Sequence, residues 1–237
     1  MFYGTVSQVF FFAISIIKIK CEKKLQLCIL YAILHKNTIT RGKIMQIIAG
    51  KARGVELETA PTLEVRPTLA RARKALFDSM GDWSGGVVLD LCAGSGALGL
   101  EAASRGCAEV LMVENNPRHV EVIKRNIVKL EKCSVETKMN VYHGSILDTK
   151  KIFSMLNDID VIFADPPYEN SAEFFETLLN DETFIENAAA AIIIWEIPDT
   201  PGSAGKFMKR EYFDEFTIRK FGPTMFLIAR ISDGEED

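Results

Sequence analysis

The sequence predicts an α/β fold: a mostly parallel, seven-stranded, Rossmann-like sheet closed by an antiparallel C-terminal hairpin. Three observations carry that expectation. Runs such as Val87–Leu91 and Ala188–Ile197 are apolar throughout, as strands buried on both faces of a parallel sheet are. Helical patterns alternate with these strands. The last two strand candidates, Glu215–Phe221 and Met225–Ile231, flank Gly222-Pro223, a hairpin signal.

Taken in order, Met45–Ala49 and Gly54–Thr59 flank Gly50-Lys51-Ala52-Arg53 and read as a small hairpin. A helical pattern spans Leu69–Met80, with Ala72, Ala75, Leu76 and Phe77 on one face, and Gly81 stops it. The strand Val87–Leu91 ends in a glycine-rich turn before a helix at Leu98–Arg105. Strand Glu109–Val113 precedes a helix at Pro117–Leu130, with proline in its first turn. Lys138–His143 is a strand, Thr149–Leu156 a short helix and Ile159–Ala164 the fourth strand of the parallel set. Ser171 caps an expected helix at Ser171–Leu179.

At 237 residues, 48% hydrophobic and 25% charged, the chain has room for one domain with an appendage. Its 16 Gly and 8 Pro fit neither a fibrous nor a disordered class. A net charge of -4 excludes a uniformly basic nucleic-acid coat, though not a local basic face. Cys21, Cys28, Cys92, Cys107 and Cys133 form no CxxC pair, so a reducing, cytoplasmic setting is expected rather than a disulfide framework. His35, His119 and His143 lack ligand spacing, and no metal site is expected.

Residues 1–44 carry seven Lys/Arg and one acid, whereas the remainder carries a net -10. Their apolar run Val6–Ile17 is shorter than a bilayer span and lacks the early positive charge of a secretory signal. Three readings stand: an appended helix pair, a membrane-surface element, or an upstream stretch before a natural start at Met45. The last is favoured because a self-consistent domain begins there. The expected organisation is thus an N-terminal extension over 1–44, a hairpin and basic helix over 45–80, the main α/β domain over 81–232 and an acidic tail over 233–237.

Asp90-Leu91-Cys92-Ala93-Gly94-Ser95-Gly96-Ala97-Leu98-Gly99 follows a strand and opens a helix, and Glu114 tips the next strand. Gly94, Gly96 and Gly99 match a dinucleotide fingerprint. The same geometry serves S-adenosylmethionine, whose ribose hydroxyls an acid at the second strand can accept. A pyrophosphate over the helix start would meet the nearby charge of Asp90 unfavourably, whereas a sulfonium and an ammonium group would gain from it. The electrostatics favour the sulfonium cofactor. Cys92 reads as a buried small hydrophobe rather than a nucleophile.

Asp165-Pro166-Pro167-Tyr168 follows the fourth strand, where open parallel sheets keep their ligand crevice. Two prolines stiffen the backbone and remove two donors. The Asp165 carboxylate and the Pro166 carbonyl then form an acceptor edge for an exocyclic amine, with Tyr168 positioned to stack on a base. Held in line with a methyl sulfonium, such an amine needs positioning more than a strong base.

Together, Asp165–Tyr168 and Asp90–Gly96 resemble the amino-methyltransferases that act on adenine N6, cytosine N4 or guanine N2. Gln46–Gly54, Arg66–Phe77 and Asp90–Leu100 are similar to the bacterial RsmD-type enzymes, which methylate a guanine N2 of 16S rRNA. The resemblance runs from Met45 to about Arg230. It implies a class I S-adenosylmethionine-dependent methyltransferase fold and supports Met45 as the start. It further implies Gly94 and Gly96 beside the methionine part of the cofactor, Glu114 at the ribose and Asn115 beside the adenine. Asp165, Pro166 and Tyr168 would hold the target amine and its base. Where the family places an acidic or amide side chain for the adenine amino group, this chain has His143-Gly144-Ser145-Ile146, which points to Ser145, with Asp148 as the alternative.

RNA contact must come from a concentrated patch, and residues 43–74 hold Lys43, Lys51, Arg53, Arg66, Arg71, Arg73 and Lys74. Arg53, Arg66 and Arg71 are the expected phosphate contacts, with the hairpin folded over the cofactor mouth. No separate target-recognition domain is apparent, so the expected partner is 16S rRNA within a small-subunit assembly particle. The protein is expected to act as a monomer without stable membrane association. A DNA adenine-N6 or cytosine-N4 methyltransferase and a non-catalytic cofactor-binding module are the competing readings.

Overall fold

The computed structural model describes residues 45–59, 67–209 and 212–231. The 1–44 extension, Arg66 and the 233–237 tail lie outside the described residues.

The hairpin strands are β1 (Met45–Gln46) and β2 (Glu56–Leu57). They are antiparallel, with Met45 opposite Leu57. After them come α1 (Pro67–Ser79), β3 (Val87–Asp90), α2 (Ala97–Ser104), β4 (Glu109–Glu114), α3 (Pro117–Glu131), β5 (Lys138–His143) and α4 (Thr149–Phe153). The chain continues through β6 (Val161–Ala164), α5 (Tyr168–Leu179), α6 (Glu182–Ala188), β7 (Ile192–Ile197), a 3-10 turn at Ala204–Lys206, β8 (Phe213–Phe221) and β9 (Thr224–Ile231).

Seven strands form one sheet in the order β5-β4-β3-β6-β7-β9-β8. β3 through β7 are mutually parallel, and β9 and β8 add an antiparallel end. This is the Rossmann-like class I S-adenosylmethionine-dependent methyltransferase fold. The strand order reverses between β3 and β6, and a crevice opens beyond the strand ends at such a reversal.

Alternating side chains separate two cores. Leu89, Leu111, Ile162, Ile193 and Trp195 pack with α4, α5 and α6 on one face. Val88, Val110, Met112, Phe163 and Ile194 pack with α1 and α2 and with the hairpin residues Ile47 and Leu57 on the other. Full burial of each large side chain contributes roughly 1.5–3 kcal/mol. Phe77 of α1 lies 5.4 Å from Phe163, so α1 grips the sheet two residues ahead of Asp165. A methyl group on Gly99 would come within 2.8 Å of Met112; glycine there lets α2 lie close on β4.

The hairpin is tied down through α2. Glu101, fully buried, accepts the amides of Ile48 (2.8 Å) and Ala49 (3.1 Å) and Arg105 Nε at 2.9 Å. Arg73, only 6% exposed, faces Glu101 at 4.0 Å and donates to the Gln46 carbonyl. Counting Arg73 toward a surface basic patch is therefore corrected: a cation with a buried carboxylate partner is held inside.

Some boundaries also differ from expectation. Helix α5 begins at Tyr168, not Ser171, because Pro167 occupies the cap position with φ -53. Ser171 instead accepts the Trp195 indole N–H at 2.9 Å in the core. The expected strand Ala188–Ile197 starts only at Ile192, after α6, whose cap is Asp181 accepting from Phe184 N at 2.8 Å. No helix among the described residues is long and apolar enough to cross a membrane.

Candidate active site

The turn after β3 and the tetrapeptide after β6 sit side by side because their strands are neighbours, with Asp90 in register with Phe163. Leu91 N donates to the Phe163 carbonyl at 2.9 Å just beyond the strands. Between them and the ends of β4, β5 and β7 lies a cleft of about 530 Å³. Gly94, Glu114, Asn115, Ser145, Asp165, Pro166 and Tyr168 all line it. The two motifs thus share one cavity on the same side of the sheet.

On the β3 side, Gly94 and Gly96 take φ of 57 and 80, values that side chains resist. This bends the chain so that Gly94 N donates to Glu114 Oε2 at 2.8 Å. Asn116 N donates to Glu114 Oε1, also at 2.8 Å. Each carboxylate oxygen retains a lone pair for a further donor, so Glu114 is held in place with acceptor capacity to spare. Behind the turn, the buried Asn126 donates to the Ser95 carbonyl and to the Glu58 carbonyl, each at 3.0 Å, and accepts Glu58 N at 2.8 Å. That single side chain joins α3, the glycine turn and the segment leaving the hairpin.

Asp90 lies beneath this wall, 1% exposed, and is not among the residues lining the cleft. Its Oδ2 accepts Gly99 N at 3.0 Å, which ties the start of α2 to β3, while Oδ1 has no partner among the described residues. Burial pushes its pKa up to about 7 against the Gly99 hydrogen bond, and the charge of Glu114 adds to the rise. Cys92 lines the cleft, but burial and then the charges of Asp90, Asp165 and Glu114 push its thiol up; a thiolate nucleophile is disfavoured.

Ser145 lines the cleft with its hydroxyl accepting Leu147 N at 3.1 Å. Asp148 turns back on its own loop, where one oxygen accepts Ser145 N at 2.8 Å and the Tyr142 hydroxyl at 3.2 Å.

On the β6 side, Asp165 faces the open cleft. The protein mass around it still strips enough water to raise its carboxyl well above the usual carboxylate range, and the charges of Glu196 and Asp90 push the same way. Tyr168 is 53% exposed, yet its hydroxyl donates to Glu196 Oε1 at 2.9 Å, so the ring is held at both ends. Glu196, 6% exposed, is itself raised by burial and lines the cleft beside Asp165.

Glu196, His119, Asn116 and Phe174 also line the cleft and escaped the reading of the sequence. Glu196 left a signal: it is the one charge in the apolar run Ile192–Ile197, near the strand end where ligands bind. His119 left none, since only the turn from β4 into α3 brings its Nδ1 within 3.6 Å of Glu114.

The basic residues are dispersed. Arg71 is exposed on α1. Arg53 is exposed on the hairpin turn, which docks on Ser104: Lys51 N donates to its carbonyl at 2.8 Å. Ser104 ends α2, about 12 Å of helix from the glycine turn. The hairpin turn therefore lies at the edge of the sheet away from the cleft, and the expected fold over the cofactor mouth is not seen for Arg53.

The lining suits a cationic cofactor. Among the described residues it includes the carboxyls of Glu114, Asp165 and Glu196 and no lysine or arginine. A pyrophosphate would find no countercharge there, whereas a sulfonium is favoured.

Comparison with known proteins agrees. A family model described as "Conserved hypothetical protein 95" matches residues 45–229. The Ribosomal RNA small subunit methyltransferase D of Haemophilus influenzae is 35% identical over 144 residues, spanning 60% of this chain and 74% of that protein. Its counterpart by name in Escherichia coli strain K12 is 30% identical over 159 residues, 65% of this chain and 75% of that one. Among solved structures, a hypothetical protein from Thermus thermophilus aligns with a TM-score of 0.59 and 26% identity, covering 79% of this chain and 100% of that chain. A methyltransferase from Pyrococcus furiosus shares the fold alone, with a TM-score of 0.53 and 20% identity over 75% of this chain and 89% of that one. With a match over well more than half its length and the sheet order and cleft described above, the chain belongs to the Conserved hypothetical protein 95 family and is a class I S-adenosylmethionine-dependent methyltransferase.

Proposed function

We propose that this enzyme methylates the N2 amine of a guanine in 16S rRNA, acting as a cytoplasmic monomer on a small-subunit assembly particle. The observation that carries the reading is that Asp165, Pro166 and Tyr168 line the same cleft as Gly94 and Glu114. Its relatives include enzymes named for small-subunit ribosomal RNA methylation.

S-adenosylmethionine brings a methyl group on a positively charged sulfur. Gly94 and Gly96 would let the backbone approach its methionine part, Glu114 would accept the ribose hydroxyls, and Asn115 and Ser145 would flank the adenine. Asp90 would act from below through its charge. Across the cleft, Asp165 would accept one amine N–H and the Pro166 carbonyl the other. That turns the nitrogen lone pair out of conjugation and toward the methyl group, while Tyr168 stacks on the base. Formation of the N–C bond would break the S–C bond, return its electron pair to sulfur and release neutral S-adenosylhomocysteine, while the positive charge gained by nitrogen would leave as a proton to Asp165. Alignment at about 3 Å supplies most of the acceleration. Arg71 and Arg66 would contact RNA phosphates near the start of α1, and Arg53 a more distant part of the same RNA.

Transfer of labelled methyl to small-subunit particles, naked 16S rRNA and duplex DNA, followed by nucleoside analysis, tests the reading. N2-methylguanosine from the particles is expected. Label on adenine or cytosine, or in the DNA, would defeat it.

A further inference from the structure

The bases that could enter the cleft differ at the ring nitrogen beside the target amine. In guanine the N2 amine adjoins N1–H, so the edge presents two donors together. In adenine the N6 amine adjoins a bare N1, and in cytosine the N4 amine adjoins a bare N3, so a donor stands beside an acceptor. Asp165 and the Pro166 carbonyl can grip the amine of any of the three. One more acceptor in the right place would separate them.

β7 provides that acceptor. Ala164 is in register with Trp195, so the next residues on the two strands, Asp165 and Glu196, leave the sheet edge side by side. Glu196 lines the cleft although it is 6% exposed. Packing alone would favour another isoleucine, because a buried carboxyl is costly unless it is partnered. Its hydrogen-bond donor and its acidic neighbour both belong to the amine-gripping tetrapeptide. Tyr168 donates to Oε1 at 2.9 Å, and the Asp165 carboxyl lines the same cleft beside it. Two carboxylates side by side repel each other. A base edge with two adjacent donors satisfies both acceptors at once.

Resting on the guanine-N2 reading above, we propose that Glu196 reads the ring nitrogen beside the target amine and selects guanine by accepting its N1–H. The Tyr168 hydroxyl pins one oxygen of Glu196 and leaves the other for the base. An adenine or cytosine in the same place sets a bare lone pair against that carboxylate, which repels it.

The test uses the full chain, S-adenosylmethionine and a small-subunit rRNA substrate carrying either guanine or 2-aminopurine at the modified position. 2-Aminopurine keeps the amine on the same ring carbon and lacks N1–H. The unsubstituted protein is expected to prefer guanine roughly 10- to 100-fold in kcat/KM, the range for a hydrogen bond to a charged group. Glu196→Gln, which can turn either a donor or an acceptor to the ring nitrogen, should shrink that preference to within about threefold. Tyr168→Phe removes the hydroxyl and leaves the carboxylate, so it should keep the preference whatever it does to the rate. An unchanged preference in Glu196→Gln overturns the proposal. Equal loss in both variants overturns it as well, since Glu196 would then act only through Tyr168. If Glu196→Gln turns over neither RNA, equilibrium binding of the two RNAs with S-adenosylhomocysteine present reads the same ratio by the same criteria. Failure of the unsubstituted protein to methylate guanine removes the guanine reading itself, so the two failures are told apart.

Discussion

On one wall of the cleft Glu114 receives two backbone amides, from Gly94 and Asn116, both at 2.8 Å. On the other wall Asp165 is followed by Pro166 and Pro167, and the local amides that a turn would send back to it do not exist. Asp90, at the end of the adjacent strand, accepts the Gly99 amide at 3.0 Å from within the core. Asp165 has proline at each of the next two positions and an acid, Glu196, for a neighbour. The difference teaches how one fold obtains two kinds of carboxylate. Amides hold a charge still and ready to bind. At Asp165, burial and then the charges of Glu196 and Asp90 raise the proton affinity, as suits a group expected to take a proton from an amine.

The contrast is broken most severely by Asp165→Ala. Turnover should fall about 100- to 10,000-fold, the span for loss of a positioned acid–base group, while cofactor affinity measured by calorimetry stays within a few-fold. Comparable losses in both would end the division of labour. Glu114→Ala should do the reverse, weakening cofactor binding roughly 10- to 100-fold with little loss of turnover at saturating cofactor.

A sharper test concerns pH. Asp165 has Glu196 from β7, Asp90 from β3 and the thiol of Cys92 around it, with the Tyr168 hydroxyl of α5 bonded to Glu196. The carboxylate form accepts the amine proton, and the raised pKa keeps the carboxyl protonated at pH values where an ordinary one is ionised. Activity should therefore climb as pH rises through a range above the usual carboxylate pKa and fall as pH drops through it. Pro167→Ala restores one amide donor beside Asp165. The rising limb of kcat against pH should then move toward acid, with a loss in rate of up to about tenfold. A limb that stays in place would mean that burial and the charges of Glu196 and Asp90 set this pKa without help from the missing amide.

The smallest effect is expected at Asp90. Its folded pKa of about 7 lies above the ordinary value of 3.8, so the folded chain binds this proton more tightly than the unfolded chain does. Asp90 thus weakens the fold progressively as pH rises from about 4 to about 7. Asp90→Asn should raise the melting temperature by a few degrees at pH 8 and lose that gain as pH approaches 4. Thermal melts at both values check the sign.

Much of this site was legible in the chain because its signals are local. A positive φ at Gly94 and Gly96, and the absence of amides at Pro166 and Pro167, are properties of the residues themselves. The start of α5 was misplaced at Ser171 because a serine before an apolar run resembles a cap; the Trp195 indole claimed that hydroxyl instead. The short helix α6 was missed because Glu182–Ala188 makes barely two turns beside an alanine run that reads as strand. Arg73 looked like part of a basic face until Glu101, 28 positions later, drew it inward.

The amino-acid order alone determined the alternation of buried strands and helices, the glycine turn and the rigid acceptor edge, since each follows from backbone freedom or side-chain periodicity within about ten residues. Only the folded sheet decided that β3 and β6 are neighbours, that Asp90 lies under the wall rather than on it, and that Glu196 joins Asp165 and Tyr168. Those outcomes depend on strand order and register, which bring together groups 28 to 75 positions apart, and no local propensity encodes a meeting over that distance.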